Sequence, residues 1–137
     1  MADTVEFELV SPERLLASEP VEMVVVPGTE GDFGVLPGHA PLISTLRPGV
    51  IVVYQGGKPQ EAIFVAGGFA EVTGERCTVL AEEAVKISEA DRGAVESRIQ
   101  EARTQLEAAP EAEKTAAQSR LAVAEALLDA IDRGRMV

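Results

Sequence analysis

The stretch CTVLAEEAVKISEADRGAVESRI, residues 77–99, decides the fold because the spacing of its apolar residues changes partway along. Residues Cys77–Leu80 still belong to an alternating pattern, which is typical of β-strands. After Ser88 the apolar residues instead recur at every third or fourth position, which is typical of one face of an α-helix. The sequence therefore predicts a β domain over residues 1–87 and a helical domain over residues 88–137.

In the predicted β domain, short apolar runs are separated by turns that contain glycine or proline. In the first run Val5, Phe7 and Leu9 alternate with glutamates, as in a strand with one buried face. Further strands are predicted at Val21–Val26, Val50–Tyr54, Ala62–Ala66, Phe69–Thr73 and Cys77–Leu80. Turns are predicted at Pro27-Gly28, Pro48-Gly49, Gly56-Gly57, Gly67-Gly68 and Thr73-Gly74. This spacing favours a sandwich or barrel of at least six strands, with room for about ten.

In the predicted helical domain, Ser88 is the expected N-cap, and Asp91 completes an approximate capping box. Two helical stripes follow, Val95, Ile99, Ala102, Leu106, Ala109 and then Ala117, Leu121, Ala124, Leu128, Ile131. Pro110 should end the first helix and Gly134 the second. The short link predicts an antiparallel helical hairpin. Because its stripes are rich in alanine, the hairpin should stabilise itself only weakly and could dock in more than one way.

Composition excludes several classes of function. The net charge is −11 and the basic residues are scattered, which argues against binding to nucleic acid or to anionic lipid. No apolar run approaches the roughly 18 residues of a membrane-spanning helix, and the N-terminus does not look like a signal peptide. We therefore expect a protein on the cytoplasmic side. The one cysteine, Cys77, allows no intramolecular disulfide and is expected to be a small core residue.

The segment EGDFGVLPGHAPLIS, residues 30–44, contains His39, which is the only histidine in the chain. A metal site needs three or four suitable ligands, which one histidine and one cysteine do not provide. A Ser44–His39 nucleophile pair has no nucleophile elbow or phosphate-binding loop to support it. Pro37 and Pro41 stiffen the segment, which suits either a loop that docks on another protein or an ordinary turn of a sandwich. The residues alone leave both interpretations open.

A family resemblance bears on this choice. The segment EGDFGVLPGHAPLISTLRPG, the later GGFAEV and the order of a β half before an alanine-rich helical pair resemble the epsilon subunits of bacterial F-type ATP synthases. The resemblance implies a ten-stranded β-sandwich followed by a helix-turn-helix. It also implies a non-catalytic rotor subunit of the central stalk, bound to the gamma subunit and seated on the c-ring. Its location would be peripheral, at the cytoplasmic face of the bacterial inner membrane.

The resemblance also implies roles for particular residues. The loop expected to face the c-ring comprises Glu30, Gly31, Asp32, Phe33, Pro37, Gly38, His39, Ala40 and Pro41, so His39 would belong to a docking surface. The hairpin is expected to extend at times into the alpha/beta catalytic head and to inhibit ATP hydrolysis. Independently of the resemblance, the arginines of the hairpin are available for contacts with an acidic partner, and Arg120, Arg133 and Arg135 are candidate regulatory contacts, although such arginines also suit a solvated helix face.

One departure from the family argues against a nucleotide site. Some members bind ATP through Ile or Leu, Asp, two free positions, Arg and Ala, whereas residues 87–93 here read ISEADRG. Asp91 and Arg92 are adjacent, which on a helix places them roughly 100° apart. No cofactor is therefore expected. Two alternatives remain: a free-standing β-sandwich binding module with a helical dimerisation arm, and a small enzyme that uses His39.

Overall fold

The computed structural model describes residues 3–134, and the chain divides between Ser88 and Glu89 into two compact units. The predicted boundary lay one residue earlier. The first unit contains the strands β1 (Val5–Val10), β2 (Leu15–Val21), β3 (Met23–Gly28), β4 (Gly31–Val35), β5 (Leu42–Thr45), β6 (Gly49–Gln55), β7 (Lys58–Val72) and β8 (Arg76–Lys86). The second unit contains the helices α1 (Arg92–Ala108) and α2 (Lys114–Gly134). Short 3-10 helices precede them at Ile87–Glu89 and Glu111–Glu113.

Two long strands, β7 with 15 residues and β8 with 11 residues, connect the two layers of the β-sandwich. The hydrogen-bonded order is β2-β1-β8-β7-β6-β3-β4, and β5 pairs with β7. The first part of β7 pairs with β6, its last four residues pair with β5, and the first part of β8 pairs in parallel with β1. Each long strand therefore contributes to both layers. The predicted sandwich is confirmed, with eight strands instead of about ten because β7 and β8 are continuous.

Several predicted turns are placed differently in the structure. Gly56 and Gly57 form the predicted hairpin, with φ angles of 62° and 74° that suit glycine. The Gly67-Gly68 pair, in contrast, lies inside β7 and bends the strand without ending it. Pro27 also lies inside a strand, β3, where a proline is tolerated because pairing with β6 stops at Val25. Adjacent glycine and proline residues in the sequence therefore mark positions inside strands as well as turns between strands.

The core of the β unit is aliphatic, as composition predicted. Val, Ile and Leu side chains from both layers form one buried cluster, joined by Phe7. Cys77 is buried in that cluster, and its burial raises the pKa of the thiol to about 12. At neutral pH the thiol is therefore protonated and unreactive, which confirms the prediction of a small core residue.

The helical unit is an antiparallel hairpin, as predicted. Arg92 at the start of α1 binds Asp132 near the end of α2 at 2.9 Å, and Arg103 lies 3.6 Å from Glu125. The chain leaves α1 at Ala109, which is extended before Pro110. The predicted N-cap was wrong: residues 87–89 form a 3-10 turn, and Asp91 caps α1.

The predicted helical stripes are only partly correct. The buried residues of the two helices are Val95, Ile99, Ala102, Ala117, Ala124, Leu127, Ala130 and Ile131. Leu127 is therefore buried where the pattern predicted Leu128, and Leu106 and Leu121 are half-buried. The buried residues of α2 differ from the predicted ones because α2 packs against α1, and the helix face buried there follows steps of both three and four residues.

Candidate docking surface

The segment 30–44, predicted to be a loop, is mostly β-strand. Gly31–Val35 is the edge strand β4 and Leu42–Thr45 is β5, so only Glu30, in the turn before β4, and residues 36–41 lie outside strands. This corrects the prediction of one continuous turn-rich loop. The predicted docking residues fall into two groups: residues 30–33 lie in the hairpin turn and the first part of β4, and residues 37–41 lie beyond the other end of that strand.

The first group lies at the tip of the β3–β4 hairpin, which we define as residues 28–33. It includes the predicted residues Glu30, Gly31, Asp32 and Phe33. The Thr29 backbone N–H donates to the carbonyl oxygen of Thr45 at 3.0 Å, and the two threonine hydroxyls lie 2.9 Å apart. These contacts hold the hairpin tip against β5, the strand that follows residues 36–41.

Arg47 makes a second attachment at the hairpin tip. Its Nη1 donates to the carbonyl oxygen of Gly28 at 2.7 Å, and its Nη2 forms an ion pair with Asp32. The Arg47 backbone N–H donates to Pro27 at 3.0 Å. Sequence reasoning did not select Arg47, because fifteen positions separate it from Asp32 and no local pattern links an arginine to so distant a carboxylate.

The second group is the irregular loop of residues 36–41, which includes the predicted residues Pro37, Gly38, His39, Ala40 and Pro41. The Gly38 N–H donates to the carbonyl oxygen of Gly74 at 2.8 Å, which fixes this loop against the β7–β8 turn. His39 is half-buried, and its Nδ1 lies 2.7 Å from the carbonyl oxygen of Ala40. The side chain of His39 thus bonds to the backbone of its own loop.

A shallow cleft of about 570 Å³ separates the hairpin tip from β5 and is lined by residues 29–33 and 42–45. Ile43 is 67% exposed at this cleft, and Leu42 is 37% exposed. Glu30 and Asp32 supply acidic groups beside these apolar side chains. Such a mixed, open surface suits contact with a protein better than enclosure of a small molecule.

A second exposed feature, which sequence reasoning missed, is an apolar row across the outer face of the sheet. Phe69 is the cross-strand partner of Leu80, Leu80 of Val10, and Val10 of Leu15. Partners in register lie side by side on one face. Phe69, Leu80 and Leu15 are 39%, 41% and 57% exposed. We call these four residues the apolar row.

Three kinds of feature are absent from the described part of the chain. Within residues 3–134, no group of three or more His, Cys, Asp or Glu side chains could hold a metal ion. In the same range no polar or charged residue is buried. No helix among these residues is long and apolar enough to cross a membrane.

Two of the three predicted regulatory arginines, Arg120 and Arg133, lie within the described residues, and these two do not converge. Arg120 is exposed on α2, and Arg133 pairs with Asp129 of the same helix at 3.0 Å. Thirteen positions of helix place these two arginines about 20 Å apart along the axis. Arg135 lies outside the described residues.

The stretch that departs from the family's ATP pattern is occupied by contacts within the hairpin. The Asp91 carboxylate accepts a hydrogen bond from the Ala94 N–H at 3.2 Å. Arg92 binds Asp132 and Glu96. The hydrogen bond and the charge of Asp132 raise the pKa of the Arg92 guanidinium above its ordinary value.

Comparison with known proteins gives a consistent result. Residues 4–87 match the family model described as ATP synthase, Delta/Epsilon chain, beta-sandwich domain. The chain is 66% identical over 131 residues to the ATP synthase epsilon chain of Rhodospirillum rubrum, covering 95% of this chain and 98% of the relative. It is 55% identical over 137 residues to the ATP synthase epsilon chain of Rhodospirillum centenum, covering 96% of this chain and 94% of the relative.

Solved structures show a similar architecture. A chain in the cryo-EM structure of the Euglena gracilis mitochondrial ATP synthase, OSCP/F1/c-ring in rotational state 1, superposes with a TM-score of 0.80 at 28% identity. That match covers 96% of this chain and 83% of the other. A chain of the Tetrahymena thermophila mitochondrial ATP synthase central stalk/c-ring has a TM-score of 0.61 at 17% identity, over 93% and 96% of the two chains. This second likeness concerns the fold alone.

Proposed function

Because this chain belongs to the ATP synthase epsilon chain family, we propose that it is a non-catalytic central-stalk subunit that links the gamma subunit to the c-ring of a proton-translocating F-type ATP synthase. It sits at the cytoplasmic face of the bacterial inner membrane and is held there by the complex, without inserting into lipid. Its partners are proteins, and it needs no bound nucleotide. Neither nucleic acid nor a metal has a part in this role.

We call the hairpin tip (residues 28–33), the irregular loop (residues 36–41) and the cleft beside β5 the candidate docking surface. The observation that carries the proposal is that hydrogen bonds hold this surface in one conformation. The hairpin tip is fastened to β5, and the irregular loop is fastened to the β7–β8 turn by the Gly38–Gly74 hydrogen bond. A surface already held in one conformation loses little entropy when it binds a partner. The exposed Ile43 beside acidic Glu30 supplies both apolar and polar contacts for the loops of the c-ring.

Substitution at the two ends of this surface tests the c-ring contact. The double variant Asp32→Ala/His39→Ala should be retained less well on a purified c-ring when added as a complex with gamma, because it loses a side chain at each end. Bound complex is measured after washing. Glu19→Ala, an exposed acid on β2, is the control and should bind as the wild type does. Equal retention of the double variant and the control would contradict the proposed contact.

The apolar row is the surface proposed to bind gamma. Four apolar neighbours on one outer sheet face resemble the buried centre of a protein interface more than an ordinary solvated surface. Leu80→Ser should therefore reduce co-purification with tagged gamma through size exclusion. Leu36→Ser is the matched control, because Leu36 is 54% exposed but lies in the irregular loop. Undiminished co-purification of Leu80→Ser would place gamma elsewhere.

The helical hairpin is proposed to regulate the complex by extending into the alpha/beta catalytic head and inhibiting ATP hydrolysis. Its support is the division of the chain into two compact units. Small buried side chains also hold the two helices together, so a change of their packing exposes little apolar surface. Arg120, Arg133 and Arg135 are the proposed contacts with the head. The effect on hydrolysis belongs to the whole complex and is tested there.

A further inference from the structure

Arg47 connects the two arms of the hairpin tip, although it lies far from both of them in the sequence. Its guanidinium reaches the carbonyl oxygen of Gly28 on one side of the turn and the carboxylate of Asp32 on the other. Between those two residues lies the turn that carries Glu30. One planar side chain with several donors thus bridges both arms of the hairpin, which the single ammonium of a lysine does less well.

The surroundings of Arg47 fix its own position. Its backbone N–H donates to the carbonyl oxygen of Pro27, and the preceding residue, Leu46, forms an isolated bridge with Gly28. Gly28 itself is closely packed, since a Cβ there would lie 2.9 Å from the hydroxyl of Ser44. The guanidinium is therefore presented to the hairpin tip by a backbone that is itself held against β3.

The solvent exposure of the Arg47–Asp32 ion pair indicates how much it contributes to the stability of the fold. The side chains of Arg47 and Asp32 are 41% and 59% exposed. Exposed ion pairs contribute little to global stability because water screens them. The contribution of Arg47 is therefore local: it limits the positions of the hairpin tip without deciding whether the sandwich folds.

We propose that Arg47 is the positioning residue of the docking surface, holding the hairpin tip and the Asp32 carboxylate in the orientation that the c-ring recognises. This inference rests on the proposed function. Arg47 acts through Asp32 and the Gly28 carbonyl, and does not itself contact the ring. Loss of the guanidinium frees the tip to adopt other orientations, so the docked complex then has to order it again at an entropic cost.

Hydrogen exchange in the free, full-length chain tests the positioning without any partner. Arg47→Met keeps the apolar stem and removes the guanidinium. We expect amides of residues 29–33 to exchange about fivefold faster in Arg47→Met, with nearly unchanged thermal unfolding. Lys86→Met is the matched control, because it also removes one positive charge and one cross-strand ion pair, at 3.5 Å from Glu61. Unchanged exchange at the hairpin tip in Arg47→Met overturns the inference.

A double-mutant cycle on the c-ring tests the docking role. Arg47→Met, Asp32→Asn and the double variant are compared as complexes with gamma on immobilised c-ring, beside wild type and Lys86→Met. We expect each single variant to bind about fivefold more weakly and the double variant to lose less than the sum of the two losses, since both changes break the Arg47–Asp32 ion pair. Fully additive losses would mean that Arg47 acts independently of Asp32, which overturns its role in positioning that carboxylate.

The remaining outcomes separate this inference from the proposed function. Normal ring binding by Arg47→Met, together with weak binding by Asp32→Ala/His39→Ala, would overturn the inference and leave the proposed function standing. Failure of the wild-type complex to bind the ring would overturn the proposed function. The exchange experiment would then still decide whether Arg47 orders the hairpin tip in the free chain.

Discussion

Gly68 shows how one residue controls the crossing of β7 between the two layers. Gly67 and Gly68 have φ angles of 72° and 92°, in the left-handed region that favours glycine. A Cβ at Gly68 would lie 1.8 Å from the carbonyl oxygen of Leu80 on β8. Only a residue without a side chain allows β7 to bend there while it stays hydrogen-bonded to β8.

Replacing Gly68 should therefore be costly. Gly68→Ala should lower the free energy of unfolding by about 2 kcal/mol or more, because strained backbone and a clash with a neighbouring strand act together. Urea unfolding of the full chain measures the loss. Gly34→Ala is the control, since the nearest atom to its Cβ would be the Met23 sulfur at 3.6 Å. Similar small losses in both variants would show that β7 can bend without Gly68.

At the residue scale, local sequence patterns predicted which residues are buried, but they did not predict contacts between residues far apart in the sequence. The alternation around Cys77 predicted its burial, because a strand in a sandwich presents every second residue to the core. The same patterns could not link Arg47 to Asp32, since that contact depends on where two separate strands meet. The Gly67-Gly68 pair predicts a turn as readily as a bend within a strand, because both use positive φ.

At the scale of elements, burial decided which strands could be predicted. The strands that were missed, β2, β4 and β5, lie at edges and are largely exposed, so they lack a regular apolar alternation. Because the sequence does not predict β4 and β5, it predicts one loop where the structure has a hairpin tip and a separate loop. The sequence selected residues between Glu30 and Pro41 for the candidate docking surface and not the exposed Ile43, and the arrangement of these residues depends on the pairing of β3 with β4.

The first helix offers a prediction about its cap. Sequence placed the N-cap at Ser88, whereas the Asp91 carboxylate accepts the Ala94 N–H. Serine and aspartate cap about equally well, so sequence preference could not choose between them. Asp91→Ala should lower the stability of α1 by about 1 kcal/mol, because a backbone donor at the helix start loses its partner.

Helical circular dichroism during thermal unfolding of the full chain measures the effect of the cap. Asp91→Asn should keep most of the stability, since an asparagine oxygen can accept the same hydrogen bond. Ser88→Ala is the control and should unfold as the wild type does. A larger loss in Ser88→Ala than in Asp91→Ala would restore the cap that the sequence first indicated.

At the scale of the whole molecule, the two units differ in the size of the side chains that each of them buries. The β unit buries Phe7, Leu9 and Ile51 completely. In the hairpin, three buried residues in α1 and five in α2 include four alanines, so each buried contact removes less apolar surface from water. The hairpin is therefore the part of the chain in which a second arrangement costs the least free energy.

This difference leads to a prediction for the assembled enzyme. A chain that ends at Ser88 keeps the buried core and the candidate docking surface, so it should still join the complex and support coupled proton transport. ATP hydrolysis by that complex should rise, because the proposed inhibitory element is absent. Hydrolysis is measured on purified complexes of matched subunit content, with Glu19→Ala in the full-length chain as the control. Normal assembly with unchanged hydrolysis would remove the regulatory role and leave the hairpin as a structural part of the stalk.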